Sequence, residues 1–194
     1  MSIMQAYQNE SSTCGKVLVD IDGVILNIMD GIRIRAYKDG LTFIPSNVLS
    51  YSFDGDCGVP KKTIFRYLKE NETFEQSPMY SKVLDALALL GRIYTPVAYT
   101  TVPDNCKQSR EDLLTRLGFK ERLIYSGEKP YISDAHALIE DNPSAIKQFI
   151  DEGFKGYLLL IDRTYNRDFD VSQYKNCFRM EDLYSAVLQL YSLA

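Results

Sequence analysis

The feature that most restricts this 194-residue chain is a repeating alternation of two kinds of segment. Short apolar runs, each the length of one buried strand, are followed by a polar loop and then by a stretch with helical spacing. The runs are Val17-Leu18-Val19, Pro96-Val97-Ala98-Tyr99-Thr100, Arg122-Leu123-Ile124-Tyr125, Ala137-Leu138-Ile139 and residues 156–161. Helices are predicted at 82–90, closed by Gly91, and at 109–117, with Leu113, Leu114 and Leu117 on one side and Gly118 as the stop. Two more are predicted at 143–152, with Asn142 as cap and Pro143 at the first helical position, and at 181–193, with Leu183, Val187 and Leu190 along one face. Strands alternating with helices of this length predict an α/β fold on a doubly wound parallel sheet. In such sheets ligands sit beyond the carboxyl ends of the strands, so the polar residues found there are the candidates for chemistry.

Residues 27–81 break the alternation. They lack a clean β pattern and carry helix-like pieces at 30–37 and 61–71, between the first and second core strands. They read as a small helical cap inserted into a core formed by residues 1–26 and 82–194. The opening segment has no basic start or apolar core, so it reads as a polar lead-in rather than a secretory signal.

Composition removes several classes of function. No apolar run approaches the roughly 18 residues of a membrane span. Cys14, Cys57, Cys106 and Cys177 lie far apart, without the paired spacing of a zinc site or a disulfide framework. Reduced cysteines and a cytoplasmic location are the simpler expectation. A net charge of −4 gives no basic footprint for an extended nucleic-acid surface. A small anion at a local cationic site remains open.

The segment Val17-Leu18-Val19-Asp20-Ile21-Asp22-Gly23-Val24 carries the strongest chemical signal. Two carboxylates flank one residue at the end of a buried strand. Such proximity costs electrostatic energy unless a cation or a proton relieves it, and a hard divalent ion with oxygen ligands is the natural relief. Phosphoryl transfer gives the pair distinct tasks: Asp20 attacks phosphorus and Asp22 protonates the leaving oxygen. Strand two ends in Thr100-Thr101-Val102-Pro103, which brings two hydroxyls to the same edge. Lys129, in the loop after strand three, is placed to offset phosphate charge. Strand four runs into Glu140-Asp141-Asn142-Pro143, where two acids can complete a metal site begun by Asp20.

The order Asp-x-Asp, Thr, Lys, Glu-Asp on successive strand ends resembles the haloacid dehalogenase (HAD) superfamily of phosphatases, over roughly residues 16–161. The resemblance implies Asp20 as nucleophile and Asp22 as acid/base, with Mg²⁺ held by Asp20, the Asp22 carbonyl, and Asp141 or Glu140. It also implies Thr100 as the phosphate-binding hydroxyl and Lys129 as the charge-balancing cation. Within the superfamily the chain is most similar to the 5'(3')-deoxyribonucleotidases. The matching pieces are Asp20-Ile21-Asp22-Gly23-Val24, the Phe74…Pro78…Val83-Leu84-Asp85-Ala86-Leu87 approach to strand two, Thr100-Thr101-Val102-Pro103 and Leu138-Ile139-Glu140-Asp141-Asn142-Pro143. Glu140 departs from that family's second aspartate, and Thr101 from its usual serine.

The resemblance implies a small-molecule phosphate ester as partner, a nucleoside monophosphate first, in a protein able to form a homodimer. The cap aromatics are Tyr37, Phe43, Tyr51, Phe53, Phe65, Tyr67 and Phe74. Phe43 and Tyr67 are the candidates to stack on a base, with Thr101 and Gly23 as further substrate contacts. Sugar phosphates, nucleic-acid 3'-phosphate ends and a nucleotide-binding protein without turnover are the alternatives. The single histidine, His136, has no partner His or Cys nearby and reads as structural.

Overall fold

The computed structural model describes residues 15–53 and 57–194. The polar lead-in and Cys14 fall outside the described residues. Six strands form one sheet: β1 Lys16–Val19, β2 Thr95–Thr101, β3 Glu121–Tyr125, β4 Ala137–Glu140, β5 Tyr157–Ile161 and β6 Cys177–Met180. Every pairing is parallel, in the order β3-β2-β1-β4-β5-β6. β1 is therefore central, the order reverses beside it, and the crevice for a ligand lies where β1 meets β4.

The strands read as continuous apolar runs because both faces are covered. Val17, Val19, Ala98, Ile139 and Leu159 face one layer, packed by α4 (Val83–Leu90), α5 (Lys107–Leu117) and α7 (Leu183–Leu193). Leu18, Val97, Tyr99, Leu138 and Leu158 face the other, where Ile146 and Phe149 of α6 (Pro143–Asp151) cover them. The period of two along each strand sends alternate residues to opposite cores. Capping sets the helix starts: Asn142 accepts from the Ser144 N–H at 2.9 Å, and Asp182 accepts from the Ser185 N–H at 2.7 Å.

β6 was not among the predicted strands. It is a half-buried edge with Arg179 inside it, so it shows no apolar run. Arg179 instead ties down the loop before the strand, donating to the Asp162 carboxylate at 2.9 Å and to the carbonyl of Phe169 at 2.6 Å.

Between β1 and β2 stand α1 (Ile28–Lys38), α2 (Lys61–Tyr67) and α3 (Asn71–Gln76). The predicted helical stretch 61–71 is two helices, broken where Glu70 turns to extended backbone. Ile32, Phe43, Val48, Ile64 and Tyr67 gather into a separate apolar cluster. α1 lies tight on α3 because Gly31 carries no Cβ; one there would meet the Ser77 Oγ at 2.1 Å. The two chain crossings into this helical cap run side by side. Leu26 and Met79 form an antiparallel bridge, with Asn27 N–H donating to the Pro78 carbonyl at 2.8 Å and Tyr80 N–H to the Ile25 carbonyl at 2.9 Å.

The cysteines Cys57, Cys106 and Cys177 are free and buried. No helix among the described residues is long and apolar enough to cross a membrane. His136 sits before β4, at the opposite edge of the sheet from Asp141, stacked on Tyr94 with ring centroids 4.8 Å apart.

Candidate active site

β1 and β4 are in register, with Val19 beside Ile139, so the residues just past them are brought together. The Asp20 N–H extends the ladder to the Ile139 carbonyl at 2.9 Å and fixes where its side chain leaves the sheet. Asp20, Glu140 and Asp141 are all buried, each offering a carboxylate oxygen within 4.8 Å of the others.

One cation faces this cluster. Lys129 Nζ donates to Asp20 Oδ1 at 2.5 Å and to Glu140 Oε2 at 2.8 Å, with the ammonium 4.9 Å from the centre of the Tyr99 ring. Glu140 Oε1 accepts from the backbone N–H groups of Asp141 and Asn142, at 3.0 and 3.1 Å. Both Glu140 oxygens are thus engaged. Asp141 differs: Oδ2 accepts from the Tyr165 hydroxyl at 2.6 Å, while Oδ1 is buried without a partner.

The charges do not balance, and the acidities reflect it. Burial pushes Asp20 up to about 7, the Glu140 charge adds to this, and Lys129 only partly offsets them. Burial, then Glu140 and Asp20, push Asp141 well above the carboxylate range. Burial works against the Lys129 ammonium, but Asp20 and Glu140 outweigh it and raise Lys129 too. An acid and its ion-pair partner both pushed up look contradictory. They are not, because three carboxylates share one ammonium. The lysine stays charged while the surplus acids hold protons unless a second cation arrives. A buried set of hard oxygens with an orphaned acceptor on Asp141 fits a divalent ion such as Mg²⁺. Asp20 and Asp141 are its natural carboxylate donors.

Asp22 stands apart from that cluster. Arg110 Nη2 lies 2.8 Å from each of its oxygens, and Arg110 Nη1 donates to Thr100 Oγ1 at 3.3 Å. Thr100 is fully buried on the α5 side of β2. Its neighbour Thr101 lines the cleft instead and donates to the Gly127 carbonyl at 3.1 Å. The alternation of side chains along a strand separates the two hydroxyls, so Thr101 and not Thr100, the residue expected to bind phosphate, lines the cleft. Gly23 has φ +87, and a Cβ there would lie 2.1 Å from Asp141 Oδ2, so the turn after β1 presses directly on Asp141.

The cleft measures about 510 Å³ and is walled by Asp20, Asp22, Thr101, Lys129, Glu140, and by Asn142, Ser144 and Gln148 of the α6 end. Tyr51 reaches it from the cap. Its ring packs edge-on to Tyr165, the residue that holds Asp141, with centroids 5.9 Å apart, and about half of the residue stays exposed.

Phe43 and Tyr67 do not reach the cleft. Phe43 is 3% exposed in the cap core, and Tyr67, fully buried, donates its hydroxyl to Asp39 Oδ2 at 2.8 Å. Withdrawing either ring toward a ligand would forfeit roughly 1.5–3 kcal/mol of burial. Aromatic composition could not separate them from Tyr51, because all sit in the same polar-aromatic segment. Arg35 is likewise occupied, paired with Asp39 at 2.5 Å and Glu70 at 2.6 Å.

Arg110 and Tyr165 were absent from the sequence reading. Arg110 had a signal: it falls on the same helical face as Leu114 and Leu117, an arginine among core positions. Tyr165 had none, since it lies in the short 3-10 turn Thr164–Asn166 just after β5.

The chain matches no family model and no curated protein. Solved structures do match. A haloacid dehalogenase-like hydrolase of Streptococcus pneumoniae superposes with a TM-score of 0.58 at 15% identity, over 92% of this chain and 97% of the other. The CbbY protein of Rhodobacter sphaeroides in complex with phosphate gives 0.51 at 14%, over 90% and 99%. CbbY has also been solved with xylulose 1,5-bisphosphate. A Bacillus subtilis protein described as a HAD hydrolase, with magnesium bound, gives 0.52 at 14%, over 94% and 99%. At these identities the likeness is one of fold: the chain has the HAD-like α/β architecture.

Proposed function

We propose that this chain is a Mg²⁺-dependent phosphomonoester hydrolase that forms an aspartyl-phosphate on Asp20, with nucleoside monophosphates as its first candidate substrates. One observation carries the reading. Two carboxylates two residues apart have opposite surroundings, Asp20 buried in an acid cluster facing Lys129 and Asp22 held by Arg110 at the cleft wall. Different surroundings for paired acids are what separate a nucleophile from an acid/base.

Asp20 attacks phosphorus, its oxygen bonding to P as the ester P–O bond breaks, and the proton of the Asp22 carboxyl passes to the leaving oxygen. Water then attacks the aspartyl-phosphate, Asp22 takes its proton, and the P–O bond to Asp20 breaks to release phosphate. Lys129 stays protonated and offsets charge on Asp20 and on the transferring group. The Thr101 hydroxyl offers a hydrogen bond at the cleft wall. When bound by Asp20, Asp141 and the Asp22 carbonyl, Mg²⁺ supplies the positive charge that keeps Asp20 ionised and neutralises phosphate oxygens. The magnesium bound by the Bacillus subtilis structure supports this assignment.

The motif pieces shared with the 5'(3')-deoxyribonucleotidases and a cap tyrosine beside the cleft support a nucleotide. Tyr51 takes over the stacking role first expected of Phe43 and Tyr67. A sugar phosphate is the second reading, favoured by the polar wall of Asn142, Ser144 and Gln148 and by the sugar bisphosphate bound in CbbY.

The test is phosphate release with Mg²⁺ from nucleoside monophosphates, sugar phosphates and 3'-phosphorylated oligonucleotides, beside Asp20→Asn. Release from nucleotides that is lost in Asp20→Asn supports the reading. Release from sugar phosphates or oligonucleotide ends alone keeps the mechanism and replaces the substrate. Nucleotide binding without any release makes the chain a binding protein.

A further inference from the structure

Arg110 has no role in the chemistry described so far, yet it is the most deeply buried arginine among the described residues. Its side chain is 1% exposed, against 19% for Asp22. The helical face it occupies is otherwise closed by Leu114 and Leu117. A well-packed apolar side chain at such a position is often as stabilising as a buried ion pair, or more so. Stability alone therefore does not explain the arginine.

Its contacts point in one direction. A single nitrogen, Nη2, sits 2.8 Å from both Asp22 oxygens, and Nη1 reaches Thr100. Asp22 lies past the end of β1, where its backbone forms an isolated bridge with Leu26 but its carboxylate is left to side-chain contacts. The guanidinium supplies the restraint. Arg110 is itself covered by the Phe74 ring of α3, whose centre is 5.5 Å away. The start of α5 is stitched to the same part of the cap: Ser109 donates to Glu75 at 3.0 Å, and Asn105 donates to the Lys69 carbonyl at 3.1 Å.

We propose that Arg110 is a positioning residue for proton transfer, holding the Asp22 carboxylate at the cleft wall and taking its own place from the cap through Phe74. The inference rests on the reading of Asp22 as the acid. Arg110 exchanges no proton. It orients the group that gives its proton to the leaving oxygen and later takes one from water.

A merely structural arginine and a positioning one differ in how their loss depends on the leaving group. p-Nitrophenol departs as its anion and needs little protonation. An alkyl alcohol, including a nucleoside 5'-oxygen, does need it. The experiment measures kcat/KM, which reports the steps up to departure of the leaving group and not the later attack of water. It is run with Mg²⁺ for p-nitrophenyl phosphate and for the alkyl phosphate turned over best, in the wild type, Asp22→Asn, Arg110→Gln and Arg110→Lys. Asp22→Asn should lower kcat/KM on the alkyl ester by about 10²–10⁴ and spare it on the aryl ester, while kcat falls on both because Asp22 also takes the proton from water. Arg110→Gln should follow the same pattern, with a loss of kcat/KM on the alkyl ester at least about tenfold greater than on the aryl ester. Arg110→Lys should recover part of the alkyl rate. Retained aryl hydrolysis shows that the variants are folded. A parallel fall of kcat/KM on both esters in the Arg110 variants, with Asp22→Asn still discriminating, overturns the inference alone. An Asp22→Asn that does not discriminate overturns the acid reading, and the inference with it.

Discussion

Withdrawing divalent ions should make the protein less stable as pH rises from 5 to 8, the reverse of ordinary acid denaturation. The perturbation is a chelator, and the group that responds is Asp20. Its carboxyl is pushed from the ordinary 3.8 up to about 7, by burial first and the Glu140 charge second. Between those values the native state holds a proton that the unfolded chain has released. Raising the pH strips that proton from the native state alone, so stability falls across the window and levels off above about 7. The full displacement corresponds to roughly 4 kcal/mol. Asp141 is pushed the same way and adds with the same sign. Lys129, also pushed up, is protonated in both states throughout this range and contributes no slope. The carboxyls held below the usual range, Asp39, Glu72, Asp104 and Asp170, act only at lower pH. The part of the Asp20 displacement crossed between pH 5 and 7 is roughly 3 kcal/mol, which for a chain of this size should appear as a fall in Tm of roughly 6–12 °C. Thermal unfolding at pH 5, 6, 7 and 8 with chelator measures it. Mg²⁺ at a hundredfold its Kd should restore about 2.7 kcal/mol near pH 8 and flatten the profile. Asp20→Asn should remove most of the slope. A flat metal-free profile, or an unchanged slope in Asp20→Asn, would refute the reasoning that an unbalanced buried acid cluster is what the cation serves.

Two further outcomes follow from the same geometry. Tyr165→Phe removes the hydroxyl that holds Asp141 Oδ2 but keeps the ring, so Mg²⁺ affinity measured calorimetrically should fall about 10–100-fold with a small change in Tm; an unchanged affinity would show that Asp141 needs no such restraint. Gly23→Ala forces a Cβ against the Asp141 carboxylate and a left-handed backbone on alanine, and should destabilise the fold by about 1–3 kcal/mol in chemical denaturation while abolishing Mg²⁺ binding.

The parallel sheet and the placement of Asp20, Lys129, Glu140 and Asp141 at its edge were legible because a buried parallel sheet writes itself as apolar runs, with its chemistry at the carboxyl ends. β6 escaped because an edge strand needs only one covered face, and its Arg179 serves a loop rather than a core. Choosing between Thr100 and Thr101 depended on which face of β2 each occupies, which two adjacent threonines do not reveal. Phe43, Tyr51 and Tyr67 are alike in composition, and only the cap's packing divides two core rings from one at the cleft. Long-range partners were the least visible. Arg110 meets Asp22 across 88 positions and Tyr165 meets Asp141 across 24, distances that no local pattern encodes.

The paired crossings at Leu26 and Met79 have a consequence for how this architecture can vary. Entry and exit of the cap are zipped together by backbone hydrogen bonds, so the ribbon that joins it to the sheet is set apart from the contacts that Phe74 and the cap cluster make with Arg110 and Tyr165. The length of the excursion enters the closure entropy only logarithmically. The cap therefore behaves as an exchangeable fitting on a fixed socket. A different insert, or a tight turn joining the two crossings, should leave β1 and β2 in register, while removing the cover of Arg110 and Tyr165 and changing which molecules can dock above the cleft.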